Sequence, residues 1–138
     1  MLRFALAILN HNKVSNITST VTEQLLSDIP RIQDILSRNV IRLRESSKVV
    51  TDFLEDRNIT CVRPIAGVYV WSRLGGPDCT WEREAFLTRK CAEAGLAIGN
   101  GTDYSEAQAG WFRITFALPQ SDLEEGMRRL ARVLDEYA

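Results

Sequence analysis

Apolar and polar residues alternate most cleanly in the stretch Gly110-Trp111-Phe112-Arg113-Ile114-Thr115-Phe116-Ala117. A period of two sends Phe112, Ile114 and Phe116 to one side of a strand and Trp111, Arg113 and Thr115 to the other. The first set is apolar and β-prone, as the inward face of a sheet requires. The second set places a guanidinium between an indole and a hydroxyl. That grouping suits a planar anion such as a carboxylate, which the arginine fork meets at two points. An arginine on the outer face of a strand is by default a solvated one. Its meaning therefore depends on the surrounding chain.

Elsewhere the periodicity is mostly helical. An opening apolar strand, Met1 to Leu9, ends at Asn10-His11-Asn12. Ile17, Val21, Leu25 and Leu26 then recur at helical spacing between Ser15 and Ser27, in a segment whose β-branched residues make it a modest helix former. Pro30 suits the first turn of a second helix. Its stripe of Ile32, Ile35, Leu36, Val40, Leu43, Val50, Phe53 and Leu54 runs to about Arg57, roughly 40 Å at the usual rise, and Asn58 can end it. Ile59–Ile65 and Gly67–Leu74 read as a strand pair, followed by a turn at Gly75-Gly76-Pro77-Asp78. Thr80 caps a helix over Trp81–Ala94, with Glu82 and Glu84 favourable in its first turn and Gly95 as its stop. Leu96-Ala97-Ile98 predicts a short strand and Gly99–Ala109 a polar loop. The last helix carries a capping box at Ser121 and Glu124. It turns Leu123, Met127, Leu130, Ala131 and Leu134 inward and leaves Arg128, Arg129 and Arg132 on a solvated side. The sum is one α+β domain over residues 1–138, a small mixed or antiparallel sheet with helices on one face.

Composition narrows the classes of partner. The chain has 138 residues, 45% hydrophobic and 25% charged, which is ordinary for a globular domain with a real core. Seventeen basic and 18 acidic side chains give a net charge of −1, so neither nucleic acid nor an anionic membrane is expected as main partner. Cys61, Cys79 and Cys91 are odd in number and lack C-x-x-C spacing, against a disulfide framework or a zinc site. A reducing, cytoplasmic location is the default expectation. Met1–Leu9 is too short for a signal-peptide core and no cleavage site follows it; no run reaches transmembrane length. His11, the sole histidine, sits between two asparagines and reads as part of an exposed turn. No Ser-His-Asp set, phosphate loop or metal-spaced cluster forms around it, so the metal expectation is none.

Two motifs, in order, add a resemblance. Ala66-Gly67-Val68-Tyr69-Val70-Trp71-Ser72-Arg73-Leu74, then Gly110-Trp111-Phe112-Arg113-Ile114-Thr115-Phe116-Ala117-Leu118-Pro119 and a closing amphipathic helix, resemble the C-terminal small domain of class I/II aminotransferases. These are pyridoxal-phosphate (PLP) enzymes of fold type I, and the likeness is greatest to the aminocyclopropane-carboxylate synthase branch. In that branch a G-W-F-R strand carries the arginine that holds the amino-acid α-carboxylate, a role that would fall on Arg113. Met1–Asn10 resembles the family's G-F-R-x-G strand, with Arg3 as counterpart of the arginine that holds the PLP phosphate. Ala5 stands where that motif has glycine. The resemblance puts the Schiff-base lysine before Met1, and Lys13, Lys48 and Lys90 do not follow the Ser-x-x-Lys pattern. The chain alone is therefore expected to hold no cofactor and to lack covalent PLP chemistry.

The loop Gly99-Asn100-Gly101-Thr102-Asp103-Tyr104-Ser105-Glu106 departs from the family's Pro-Gly turn by losing the proline. It reads either as a substrate-side loop that brings Tyr104 near Arg113, or as a flexible surface turn. Two function classes follow. One is the small domain of an aminotransferase-like or synthase-like enzyme, binding a small carboxylate or amino acid through Arg113 with Trp111 and Tyr104. The other is a domain reused as a cofactor-free enzyme acting on a small acid, or as a binding or assembly module. Either leaves apolar surface, including Leu2–Leu9, that favours a homo-oligomer.

Overall fold

Four short strands pair into one antiparallel sheet: β1 (Cys61–Val62), β2 (Tyr69–Ser72), β3 (Gly99–Asn100) and β4 (Phe112–Thr115), in the spatial order β1-β2-β4-β3. They belong to a computed structural model that describes residues 15–137. The expected opening strand, and with it Arg3, Ala5, His11 and Lys13, lies outside the described residues. The chain divides into two compact units, 1–40 and 41–138.

In the first unit, Ser15 caps helix α1 (Asn16–Ser27) by accepting the Thr18 N–H at 3.1 Å. Asp28 accepts the Arg31 N–H at 3.1 Å where helix α2 (Ile29–Asp56) begins. α1 buries none of its residues, and Ile17, Val21, Leu25 and Leu26 are exposed. Leu36 and Val40 of α2 are exposed too. The stripe expected to be buried along the whole of α2 is therefore fully buried only at Val50 and Leu54. Periodicity marks which face of a helix is apolar; what covers that face is a separate question.

In the second unit, Val70, Phe112, Ile114 and Phe116 form the inward face of the sheet, as the period of two predicts. Against it pack Val50 and Leu54 of α2, Leu87 and Cys91 of α3 (Trp81–Glu93), and Leu123, Leu130, Val133 and Leu134 of α4 (Gln120–Tyr137). Helices on one face of a small antiparallel sheet is the α+β arrangement expected. Asn58, with φ of 55°, ends α2 as its sequence suggests.

Three local expectations change. The strand expected at Leu96–Ile98 is displaced to Gly99–Asn100. Leu96 donates its N–H to Cys91 O at 2.8 Å and Gly95, with φ of +74°, donates to Ala92 O at 2.9 Å. Those two bonds make the Schellman closure of α3, so the ladder can begin only after it. The expected polar loop from Gly99 instead opens with β3 and a 3₁₀ turn, Gly101–Tyr104. The capping box at Ser121 and Glu124 does not form. Pro119 O accepts the N–H groups of both Asp122 and Leu123, so α4 starts at Gln120 and Ser121 already lies within it.

Candidate functional site

The strand register builds an aromatic face on the outer side of the sheet. Trp71 pairs across from Arg113 and Tyr69 from Thr115, which sets Tyr69, Trp71, Arg113 and Thr115 on the face away from Val70 and Ile114. Gly99 of β3 pairs with Arg113 on its other flank. Tyr104, at the end of the 3₁₀ turn, reaches back over bare Gly99. The Cβ of an alanine at position 99 would stand 2.8 Å from Tyr104 Cε2.

Arg113 sits among these rings. Its Cζ lies 4.2 Å from the Tyr69 ring centre and 4.4 Å from that of Tyr104. Trp71 stacks on Trp111 at 6.1 Å with 7° between planes, and meets Tyr104 edge-on at 5.8 Å. Each cation–π contact at such half-open sites is worth about 0.5–1 kcal/mol, and each aromatic pair a similar amount. Together they hold the guanidinium in place without neutralising it. Among the described residues, Arg113 has no carboxylate within salt-bridge distance. Its N–H donors remain available on an open face. A cavity of about 500 Å³ beside Leu96, Ile98, Leu123 and Met127 takes in Thr115 but neither Arg113 nor any of the four rings, so the candidate site is the aromatic face.

Two features fix the chain that leads into Arg113. Gly110 enters β4 with φ of +93°, and its carbonyl accepts the Gly75 N–H at 3.0 Å. A side chain there would be strained and would meet Cys79 Cβ at 2.8 Å. Glu84, only 1% exposed, turns its carboxylate from α3 into the loop and accepts from Thr102 Oγ1, Thr102 N and Gly110 N at 2.8, 3.1 and 2.7 Å.

The structure thus brings together Arg113, Trp111 and Tyr104, all singled out from the sequence, and adds Tyr69, Trp71 and Glu84. Tyr69 and Trp71 share the parity of the outer face on the neighbouring strand. Glu84 does carry a helical signal in the sequence: with Leu87 and Cys91 it falls at i, i+3 and i+7, on the buried side of α3. Arg129, expected to be solvated, is half-buried; it pairs with Glu125 at 2.7 Å and donates to Ala94 O at 3.3 Å, closing the end of α3. Among the described residues, Arg128 pairs with Glu125 alone and stays exposed, as expected.

The profile of the family described as "Aminotransferase class I and II" matches residues 1–130. The chain belongs to this family. Among its relatives, the Aspergillus fumigatus protein named "Probable aminotransferase gliI" is 43% identical over 140 residues, covering 96% of this chain and 32% of that protein. Aminotransferase verI of Clonostachys rogersoniana is 36% identical, covering 94% of this chain and 30% of its own length. The likeness extends to 1-aminocyclopropane-1-carboxylate synthase 4 of Solanum lycopersicum, at 30% identity over 90% of this chain and 27% of that one. This chain therefore spans about a third of the length of these relatives. In fold it is similar to a tetra mutant of Thermus thermophilus aspartate aminotransferase, with a TM-score of 0.77 at 21% identity over 94% of this chain and 34% of the other.

Class I and II aminotransferases are PLP-dependent, so a lysine amine is the first group to seek. Lys48 pairs with Asp52 along α2, and Lys90 with Glu93 along α3 at 2.9 Å. Neither is among the residues around Arg113. Among the described residues, the aromatic walls around the unpaired Arg113 guanidinium have no lysine amine beside them. They include no group of three or more His, Cys, Asp or Glu placed to hold a metal, and no helix long and apolar enough to cross a membrane.

Proposed function

We propose that residues 41–138 form the part of an amino-acid aminotransferase, or of a related synthase, that grips the substrate carboxylate. The observation that supports it is the uncompensated guanidinium of Arg113, set among Tyr69 and Tyr104 on an open face. A carboxylate would take two parallel N–H···O bonds from that fork, each charge-assisted and about twice as strong as a neutral one. The tyrosine rings would hold the fork in one plane and so spare part of the entropy of ordering a long side chain on binding. Trp71 and Trp111 would exclude water from one side, strengthening the ion pair. Covalent chemistry on the substrate amine is assigned to no residue described here.

Self-association is proposed on a separate observation, the exposure of Ile17, Val21, Leu25 and Leu26 along α1. A cytoplasmic location is proposed because Cys61, Cys79 and Cys91 are all free.

The carboxylate reading is tested by titrating pyruvate and L-alanine into four proteins and following NMR shifts. Arg113→Lys keeps the charge but loses the planar fork, so binding should weaken about tenfold, the loss of one charge-assisted contact. Arg113→Ala should abolish it and Arg128→Ala should leave it unchanged. Equal shifts in wild type and Arg113→Ala would show that the fold is retained without this role.

A further inference from the structure

We propose that Glu84 is the positioning residue of the Arg113 site: its buried carboxylate sets the loop that lays Tyr104 against the guanidinium. The proposal rests, for its functional part, on the carboxylate-binding reading above.

Apart from the bond between the Gly75 N–H and Gly110 O, the loop between β3 and β4 has few backbone ties to the rest of the fold. Asn100 Oδ1 accepts the Asp103 N–H at 3.0 Å and Gly101 O accepts the Glu106 N–H at 3.1 Å; both bonds are internal to the loop. Ser105 adopts φ of 56°, a left-handed turn that sends the chain back toward β4. Glu84 adds a side-chain attachment at both ends, alone at Thr102 and beside the Gly75 bond at Gly110. One oxygen, Oε1, takes the amide and hydroxyl of Thr102, two residues before Tyr104; the other, Oε2, takes the amide of Gly110, which leads into Trp111. Because Glu84 is anchored in α3 with Leu87 and Cys91 buried on the same side, these bonds tie the loop to the core. Among the described residues no cation pairs with Glu84, so its oxygens are satisfied by loop donors. Removing one of those donors, or one acceptor oxygen, leaves an unpaired group in a buried place, which is costlier than losing the same bond at the surface.

The chemistry requires a carboxylate and not merely a polar group. A glutamine of the same size keeps one acceptor for Thr102 but turns an NH₂ toward the Gly110 N–H, donor against donor. The Gly110 end of the loop, left with its Gly75 bond alone, should then shift, Tyr104 should move off Arg113, and the guanidinium should lose one of its two rings.

The experiment compares wild type with Glu84→Gln, Thr102→Val, Tyr104→Leu and Leu87→Ala in the full chain. The readouts are the Arg113 Nε–H and Hδ resonances, which aromatic ring currents displace, together with pyruvate titration and thermal melting. Glu84→Gln should move the Arg113 resonances toward their positions in Tyr104→Leu and weaken pyruvate binding about fivefold, the size expected for one lost contact. Thr102→Val removes only the hydroxyl bond and should move them part of the way. Leu87→Ala, a core truncation on the same helix, should lower the melting temperature and leave the resonances in place. Arg113 resonances unmoved in Glu84→Gln would overturn the proposal, as would an equal displacement by Leu87→Ala. If Glu84→Gln does not fold, Thr102→Val carries the test and an unmoved Arg113 in it counts as refutation. Should wild type take up no pyruvate, the carboxylate reading fails while the ring-current comparison still decides the role of Glu84.

Discussion

Adding one methyl group at Gly99 should separate the site from the stability of the fold. In Gly99→Ala the new Cβ would stand 2.8 Å from Tyr104 Cε2, 2.9 Å from its hydroxyl oxygen and 3.3 Å from Cζ. Comfortable contact between such atoms begins at about 3.5 Å, so the ring must retreat by roughly 0.7 Å or swing away. All three atoms belong to the outer end of a flexible, half-exposed side chain, and no backbone is struck. The fold should therefore survive. What is lost is the Tyr104 contact with Arg113, at 4.4 Å, and its edge-on contact with Trp71, at 5.8 Å. Those contacts are worth about 0.5–1 kcal/mol each at exposed sites, so the total is about 1–2 kcal/mol. For a chain of this size that lowers the melting temperature by about 3–8 °C. Gly126→Ala is the matched control. It lies inside α4, its added Cβ would come no closer than 4.0 Å to Leu96 Cδ2, and replacing a helical glycine should raise stability by about 1 kcal/mol. Calorimetry gives the two melting shifts, and the Arg113 Nε–H resonance reports the ring. Opposite melting shifts, with the resonance moved only in Gly99→Ala, are expected. A resonance unmoved in Gly99→Ala would show that Tyr104 does not hold the guanidinium, and the geometry argued for the site would fall.

Two further outcomes follow from other parts of the chain. Burial alone pushes the Cys91 thiol up to about 11, whereas an unfolded cysteine titrates near 8.5. The native state therefore keeps its proton over a range in which the unfolded state has lost it, so this contribution is whole below about pH 8.5 and disappears as pH rises toward 11, up to about 3 kcal/mol in all. Urea titrations of wild type and Cys91→Ala at pH 8 and pH 10.5 should show a smaller pH-dependent loss in the variant; parallel losses would contradict it. Sedimentation at high micromolar concentration should show association through the exposed apolar residues of α1, and a clean monomer would refute that proposal.

The parts of the fold that could be read from sequence were those whose side chains announce their period. Phe112, Ile114 and Phe116 alternate with Arg113 and Thr115, so β4 and both its faces were legible from residue types alone. β3 was not, because Gly99 and Asn100 carry no such signal and their pairing is set by where the closure of α3 releases the chain. Arg113, Trp111 and Tyr104 stood out as chemical types, but the wall from Tyr69 and Trp71 depends on register, which links residues far apart in sequence. Glu84 was disguised by its place in the first turn of α3, where a carboxylate is favourable for the helix dipole without touching anything else. Arg129 was disguised in the same way, since its long stem reaches a carbonyl on a different helix.

The central claim is that Arg113 grips a carboxylate through its planar edge, and the arginine N–H spectrum of ¹⁵N-labelled wild type tests it most directly. With Arg113→Lys identifying the resonance by its absence, pyruvate is added stepwise at low ionic strength. The Arg113 Nε–H should move progressively to saturation and its Nη protons sharpen as two-point contact slows rotation about the Cζ–Nη bonds, while Arg128 on α4 stays still. Uniform small drifts of every exposed arginine, with Arg113 indistinguishable from Arg128, would contradict it.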